Sequence, residues 1–284
     1  MLNGLPPEML ARPQILSAED VADGAGRTLL LIVAHADDPA FFIGGVLPIW
    51  ARRGWRIVCL RVTDDSKDSV GLSVAETISR NTVEFQAAAA LLGITQIDEF
   101  GRETDCLGDV LRVALRERMI HAIRRHRPYG VVTFDPDSIL HEDNLAHRVL
   151  AQAVDEAFWC AQFDKHHPEH LDEGLAVHGV FERWYFGRSV ARVSHVFDTG
   201  ETIGVQLAAL LAHRTMLENI TRQLELQAST AGRTMPYLAA ARAGDYRPLF
   251  ESMLRRGAAA KGAPYGLSAA ETLRCSRLDF DLPA

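Results

Sequence analysis

Short, continuously apolar runs alternate with helix-length amphipathic segments along the first half of this chain. The apolar runs cover residues 28–33, 56–62 and 130–134, and each has the length of a strand that is buried on both faces of a sheet. Between them, apolar side chains recur at helical spacing over 75–92 and over 110–126. This order predicts βαβ units and therefore an α/β fold, a Rossmann-like, mostly parallel sheet with helices on both faces.

The pattern is less regular in the second half of the chain. Residues 180–186 and 193–197 predict further strands, and residues 201–226 predict one long helix. We divide the 284 residues into an N-terminal extension over 1–26 and a single domain over 27–284. A chain of this length can bury most of its apolar surface in one core.

Composition disfavours several functional classes. The net charge of −7 disfavours binding to nucleic acid, which requires a basic face. The four cysteines lie far apart, which argues against a disulfide framework and against a structural zinc ribbon. Neither a signal peptide nor an apolar run of the ~20 residues that cross a membrane is recognisable. We therefore expect a cytoplasmic protein without a membrane span, and a homo-oligomer is compatible with the sequence.

Polar residues gather where two of the predicted strands end. Residues 35–38 read His-Ala-Asp-Asp directly after the first strand, and residues 135–147 bring further Asp, His and Glu side chains after the third. Ligands of open α/β sheets bind at the carboxyl ends of the strands. Catalytic zinc takes three protein ligands from His and carboxylate and keeps one position for water, while a second carboxylate can act as general base. The sequence therefore predicts a hydrolytic zinc site, with another divalent metal as the alternative.

The same residues resemble the signature of the PIG-L/LmbE-like deacetylases. His-Ala-Asp-Asp at 35–38, followed by glycines at 44–45, is similar to the family's H-P-D-D…G-G, and residues 141–144 stand where the family has H-x-D-H. Further similarity runs through 84–93, 127–132 and 210–214. Members of this family are zinc-dependent hydrolases that remove acyl groups, mostly acetyl, from amino sugars and their conjugates. The resemblance implies an LmbE-like fold and a small-molecule N-acyl amino sugar or glycoconjugate as substrate.

The resemblance also implies a role for each matching residue. His35 and Asp38 would be zinc ligands, and Asp37 would be the general base that takes a proton from water. His141 would stabilise the oxyanion of the tetrahedral intermediate, and Asp143 would orient His141.

Two positions depart from the family signature. Ala36 replaces the usual proline, which loosens the turn but removes no functional group. Asn144 replaces the histidine that supplies the third zinc ligand. Either His147, one helical turn further on, substitutes for it, or the amide oxygen of Asn144 binds the metal, or the site is poor in metal. Asn144 is also a favoured N-cap for the helix that starts here. The alternative function is thus a catalytically impaired family member that acts as a binding or accessory protein.

Two further residues are candidates for substrate binding. Asp64 follows the second strand, where it would reach sugar hydroxyls, and a solvated loop acid is the equal alternative. Arg80 lies on a helix near the same edge of the sheet, and it is spaced to pair with Glu84 instead.

Overall fold

An eight-stranded sheet runs through the computed structural model, which describes residues 12–138, 142–190 and 192–277. Its strands are β1 (Gln14–Leu16), β2 (Thr28–Val33), β3 (Arg56–Thr63), β4 (Ile94–Arg102), β5 (Gly130–Phe134), β6 (Glu182–Phe186), β7 (His195–Asp198) and β8 (Ala270–Arg277). They lie in the order β1-β7-β8-β6-β5-β2-β3-β4. Strand β8 is antiparallel to both of its neighbours, and the other pairs are parallel. The predicted α/β fold with a mostly parallel sheet is confirmed.

Strands β2, β3 and β5 form the centre of the sheet. Leu30 of β2 stands opposite Val58 of β3 on one side and Val131 of β5 on the other. None of these three side chains is exposed to solvent. A strand covered on both faces has no side for polar residues, and the three apolar runs of the sequence are therefore continuous rather than alternating.

Helices pack around the sheet. They are α1 (Asp38–Phe42), α2 (Leu47–Arg52), α3 (Val74–Leu92), α4 (Arg112–His126), α5 (Leu145–Cys160), α6 (Glu169–Asp172), α7 (Ile203–Ala212), α8 (Arg214–Thr230), α9 (Leu238–Arg242) and α10 (Arg247–Gly262). Helix α3 packs against α7, and α4 packs against α5. Helix α3 begins at a capping box on Ser73 and ends at Gly93, whose φ of 79° suits glycine.

The predicted long helix over 201–226 is wrong, because the chain breaks at His213 into α7 and α8. The backbone of His213 has φ −80° and ψ 57°, which is not helical. The new N-terminus is stabilised from outside, since the carboxylate of Glu84 accepts hydrogen bonds from the N–H and the hydroxyl of Thr215. Such a long-range cap leaves no local signal in the sequence.

Strand β1 belongs to the stretch that the sequence suggested as an N-terminal extension. It pairs with β7 at the edge of the sheet, with Ile15 opposite Val196. None of the helices in the described part of the chain combines the length and the apolar character needed to cross a bilayer.

Candidate active site

The turn that follows β2 places three polar side chains in the interior. His35, Asp37 and Asp38 are each at least nine-tenths buried. The N–H of His35 donates to Oδ2 of Asp38 over 2.7 Å, and Pro39 then helps to start α1. This closed hydrogen bond fixes how the first and last side chains of the turn face each other.

His147 reaches this turn from helix α5. Its Nε2 lies 3.1 Å from Nδ1 of His35 and 3.2 Å from Oδ1 of Asp38. One candidate ligand atom from each of the three residues can be chosen so that all three lie within 4.8 Å of one another. The structure therefore brings together side chains from two separate stretches of the chain.

This donor set fits a divalent metal. Two imidazole nitrogens and one carboxylate oxygen are the ligands of many catalytic zinc sites. Two imidazole nitrogens that face each other at 3.1 Å must share a proton or a cation between them, because two lone pairs repel. Imidazole also suits other first-row metals, so the set does not single out zinc.

The ring of His147 is held by its surroundings. It stacks on Phe134 with ring centroids 4.0 Å apart and an interplanar angle of 16°. Its Nδ1 lies 3.2 Å from Oε1 of Glu142. A carboxylate behind a histidine is the usual arrangement for orienting a metal ligand.

Asn144 occupies the N-cap of α5. Its Oδ1 accepts hydrogen bonds from the N–H of Ala146 over 2.8 Å and of His147 over 3.4 Å. The amide oxygen is thus engaged at the start of the helix, and the residue one turn later faces His35 and Asp38. This geometry favours His147 over Asn144 as the third ligand.

The charges of these buried groups depend on one another. Burial alone would lower the pKa of His35, but the hydrogen bond and the charge of Asp38 raise it to about 10. The same balance raises the pKa of His147 to about 9. Burial alone would raise the pKa of Asp38, but the charges and hydrogen bonds of His147 and His35 hold it well below the usual range. The carboxylate of Asp38 thus draws positive charge, as a proton or a cation, to the two imidazoles.

Asp37 has the opposite character. Burial, and then the charge of Asp38, raise its pKa well above that of an ordinary aspartate. Its side chain does not cap the helix that follows. Asp37 is therefore a buried carboxylate, next to Asp38 in the chain, that holds a proton more readily than an ordinary aspartate.

The other predicted site residues lie elsewhere or have other partners. His141 lies outside the described residues. The side chain of Asp143 is 85% exposed and pairs with Arg188 over 3.3 Å. Asp64 accepts hydrogen bonds from Ser66 and Thr104, which links two loops.

Arg80 is exposed on α3, as its position in the predicted helix implied. Glu84, which the sequence offered as its partner, is engaged by Thr215 instead.

Sequence reasoning missed the buried ion pair beneath the 35–38 turn. Arg61, in the middle of β3, is 2% exposed and donates to Oδ2 of Asp65 over 2.8 Å. Arg61 also donates to Glu99 over 2.6 Å and to Thr82 over 3.2 Å. The signal in the sequence was an arginine inside an otherwise apolar strand, because a buried guanidinium requires a buried partner.

A second ion pair secures the end of β5. Arg274 of β8 donates from Nε to Asp135 over 3.1 Å and lies 3.1 Å from Asp137. Its guanidinium stacks over the ring of Tyr185, 4.1 Å from the centroid. Strand β8 thus anchors the start of the segment that leads to Glu142.

Comparison with known proteins agrees with this geometry. Residues 30–158 match the family described as "PIG-L: GlcNAc-PI de-N-acetylase". This stretch of the chain is similar to the PIG-L family. The matched stretch includes His35, Asp38 and His147, and the predicted resemblance to the PIG-L/LmbE-like family is confirmed.

The chain is also similar to a protein of Corynebacterium glutamicum (strain R). That protein is a 1D-myo-inositol 2-acetamido-2-deoxy-alpha-D-glucopyranoside deacetylase, 25% identical over 225 residues, which are 69% of this chain and 77% of the relative.

Two solved structures share the fold. An N,N'-diacetylchitobiose deacetylase from Pyrococcus horikoshii superposes with a TM-score of 0.72 at 20% identity, over 88% of this chain and 84% of that one. GalB, the 4-carboxy-2-hydroxymuconate hydratase of Pseudomonas putida KT2440, superposes with a TM-score of 0.62 at 16% identity, over 90% and 99%. One fold therefore serves a deacetylase and a hydratase, so function must be argued from the residues of the site.

Proposed function

We propose that this protein is a metal-dependent hydrolase that removes an acyl group, in the first place acetyl, from an N-acylated amino sugar or a related conjugate. The convergence of His35, Asp38 and His147 beside Asp37 is the observation that carries the proposal. The PIG-L match and the deacetylase relative support an enzyme that cleaves an amide bond.

His35, Asp38 and His147 would hold the metal, for which zinc is the first choice. A divalent ion at these atoms supplies Lewis acidity, which polarises an amide carbonyl and lowers the pKa of water. Glu142 would keep the ring of His147 in position from behind.

Asp37 would carry the proton. Hydrolysis forms a C–O bond from water and breaks the C–N bond of the amide, so one proton must leave the water and one must reach the departing amine. A carboxylate whose pKa is raised by burial can accept the first proton and deliver it to the nitrogen.

The family resemblance supports two further roles: His141 would stabilise the oxyanion and Asp143 would orient His141. Asp64 and Arg80 would bind the sugar, which we infer from their position near the edge of the sheet. The dispersed cysteines, all free, suit a reducing compartment, and we place the activity in the cytoplasm.

The alternative is a binding or accessory protein with a vestigial site. This alternative arises from Asn144, which stands where the family signature has a metal-binding histidine. The position of His147, 3.1 Å from His35, counts against this alternative because it supplies a replacement imidazole.

The test combines metal content with turnover. Zinc bound to the purified protein is measured by elemental analysis, and acetate release is measured from N-acetylglucosamine and from N,N'-diacetylchitobiose. Asp37→Asn should keep zinc and lose roughly 10²- to 10⁴-fold in kcat, the usual worth of a general base. Asp172→Asn, on the exposed surface of α6, is the matched control. Wild-type turnover by Asp37→Asn would refute the mechanism, and a zinc-free, inactive wild type after zinc supplementation would support the accessory role.

A further inference from the structure

The backbone N–H of Ala36 is a buried donor in the middle of the candidate site. Ala36 is 4% exposed, and a buried N–H is costly unless it finds an acceptor. Its acceptor is the carboxylate of Asp65, whose Oδ2 and Oδ1 lie 3.2 and 3.4 Å from the nitrogen. The two oxygens share this one donor.

Both the side chain and the backbone of Asp65 are held by neighbouring residues. It is fully buried and has a φ of 54°, a left-handed conformation that is uncommon for a residue other than glycine. Arg61 binds its carboxylate over 2.8 Å, and the hydroxyl oxygen of Thr63 lies 3.3 Å from it. The side chain of Asn81 donates to its carbonyl oxygen over 3.2 Å. Strained backbone of this kind persists where the surroundings determine it, and it is concentrated at functional sites.

Residue 36 is also where the sequence departs from the H-P-D-D signature. A proline has a fixed φ and no N–H, so it stiffens a turn without requiring an acceptor. An alanine differs in both respects. It leaves φ free in the unfolded chain, and it adds an N–H donor to the interior.

We propose that the hydrogen bond from Ala36 to Asp65 performs in this chain the task of a proline at position 36. It fixes the peptide between His35 and Ala36, the first of the two peptides that connect His35 to Asp37, and Asp65 is therefore a positioning residue for both. The inference rests on the proposed function for its activity readout and on the proposed metal site for its zinc readout.

The location of the bond explains why its effect is larger on the site than on the fold. The neighbouring peptide is already attached to β3, because the carbonyl oxygen of Ala34 accepts from the N–H and the hydroxyl of Thr63 over 2.9 and 2.7 Å. The N–H of His35 is bound by Asp38. The contact of Ala36 with Asp65 thus fixes the next peptide, which lies between the candidate ligand His35 and the candidate base Asp37.

The experiment is a double-mutant cycle between positions 36 and 65. Asp65→Gly suits the left-handed backbone and removes the acceptor, and we expect kcat to fall about 10- to 100-fold with a smaller change in KM, as for a misplaced catalytic group. Asp65→Asn keeps an acceptor oxygen and should retain most activity. Ala36→Pro alone should remain near wild type. In the double variant residue 36 carries no N–H that needs an acceptor, and activity should return to within about twofold of Ala36→Pro, the scatter of independent substitutions.

The matched control is Asp105→Gly. Asp105 is also left-handed, with a φ of 62°, but it is exposed on a neighbouring loop. Asp105→Gly therefore reproduces the backbone change without removing a buried acceptor, and it should leave activity unchanged.

Zinc affinity supplies a readout that needs no substrate. In a competition titration with a chromophoric chelator, Asp65→Gly should bind zinc about tenfold more weakly, and Ala36→Pro should restore the affinity. If the wild type releases no acetate but this restoration is seen, the proposed function fails and the positioning role stands. If acetate is released but Ala36→Pro restores neither kcat nor zinc affinity, the positioning role is wrong.

Folding is followed by thermal melting of each variant. Arg61 keeps Glu99 and Thr82 as partners in Asp65→Gly, so we expect a folded protein. Folding of Asp65→Gly only in the Ala36→Pro background would support the coupling of the two positions. Failure to fold in both backgrounds would mean that Asp65 is structural, and would overturn the proposal.

Discussion

The third metal ligand can be identified with two substitutions on the same helix. Asn144→Ala removes the cap of α5, and His147→Gln removes the imidazole one turn later. Asn144 serves two backbone N–H groups, whereas His147 faces His35 and Asp38 over 3.1 and 3.2 Å. The two variants therefore separate a cost in stability from a loss of metal.

The expected magnitudes follow from these contacts. Loss of an N-cap costs about 1 kcal/mol, which in a protein of this size lowers Tm by roughly 2–4 °C and leaves one zinc bound. Loss of the imidazole should weaken zinc binding by more than the roughly 10- to 100-fold that loss of a supporting residue behind a ligand costs.

The assay is elemental analysis of zinc after dialysis, chelator competition for the Kd, and thermal melting of each variant. Zinc retained by His147→Gln and lost from Asn144→Ala would refute the assignment of His147. Loss of zinc from both variants to the same degree would mean that the start of α5, rather than one side chain, holds the ion.

Three other substitutions test one contact behind the site and two buried groups of the sheet. Glu142→Ala should weaken zinc binding about 10- to 100-fold in the same titration, because it removes the carboxylate behind His147; unchanged affinity would show that this contact is incidental. Arg274→Met leaves the buried carboxylate of Asp135 without its partner and should lower the free energy of unfolding in urea by about 3–5 kcal/mol, and a loss below 1 kcal/mol would contradict a buried ion pair. Burial, and then the charge of Arg277, lower the pKa of His195 to about 4. Between about pH 4 and 6.5, His195 is therefore protonated in the unfolded chain but neutral in the folded protein. Stability should fall as the pH drops from about 6.5 towards about 4, and His195→Gln should make that fall shallower in melts at several pH values; an unchanged slope would mean that His195 is not responsible.

Strands β2, β3, β5, β6 and β7 were predictable from the sequence, whereas β1, β4 and β8 were not. Strands β2, β3 and β5 are buried on both faces, so their apolar runs are unbroken. Strand β4, at the edge of the sheet, mixes polar and apolar residues, and β8 contains three charged residues in eight positions. Those charges have long-range partners, such as Asp135 for Arg274, that local pattern does not reveal.

The residues of the candidate site were predictable in kind, but their geometry was not. The sequence placed His35 and Asp38 after one strand and offered both Asn144 and His147 after another. Only the helix that begins at Leu145 decides which of the two faces the turn. The support of Ala36 by Asp65, 29 residues away, depends on the pairing of β2 with β3 and has no counterpart in local sequence.

Strand β8 has a consequence for synthesis of the protein on the ribosome. In the described residues, β8 lies between β7 and β6 and so connects the β1–β7 pair to the rest of the sheet. It is also the last of the described strands to be translated. Until it emerges, β6 and β7 each lack a partner along one side, and the nascent chain carries open strand edges that invite aggregation. Insertion of this strand should therefore be a late step of folding, and a ribosome stalled before it should hold a chain that proteases cut readily near β7.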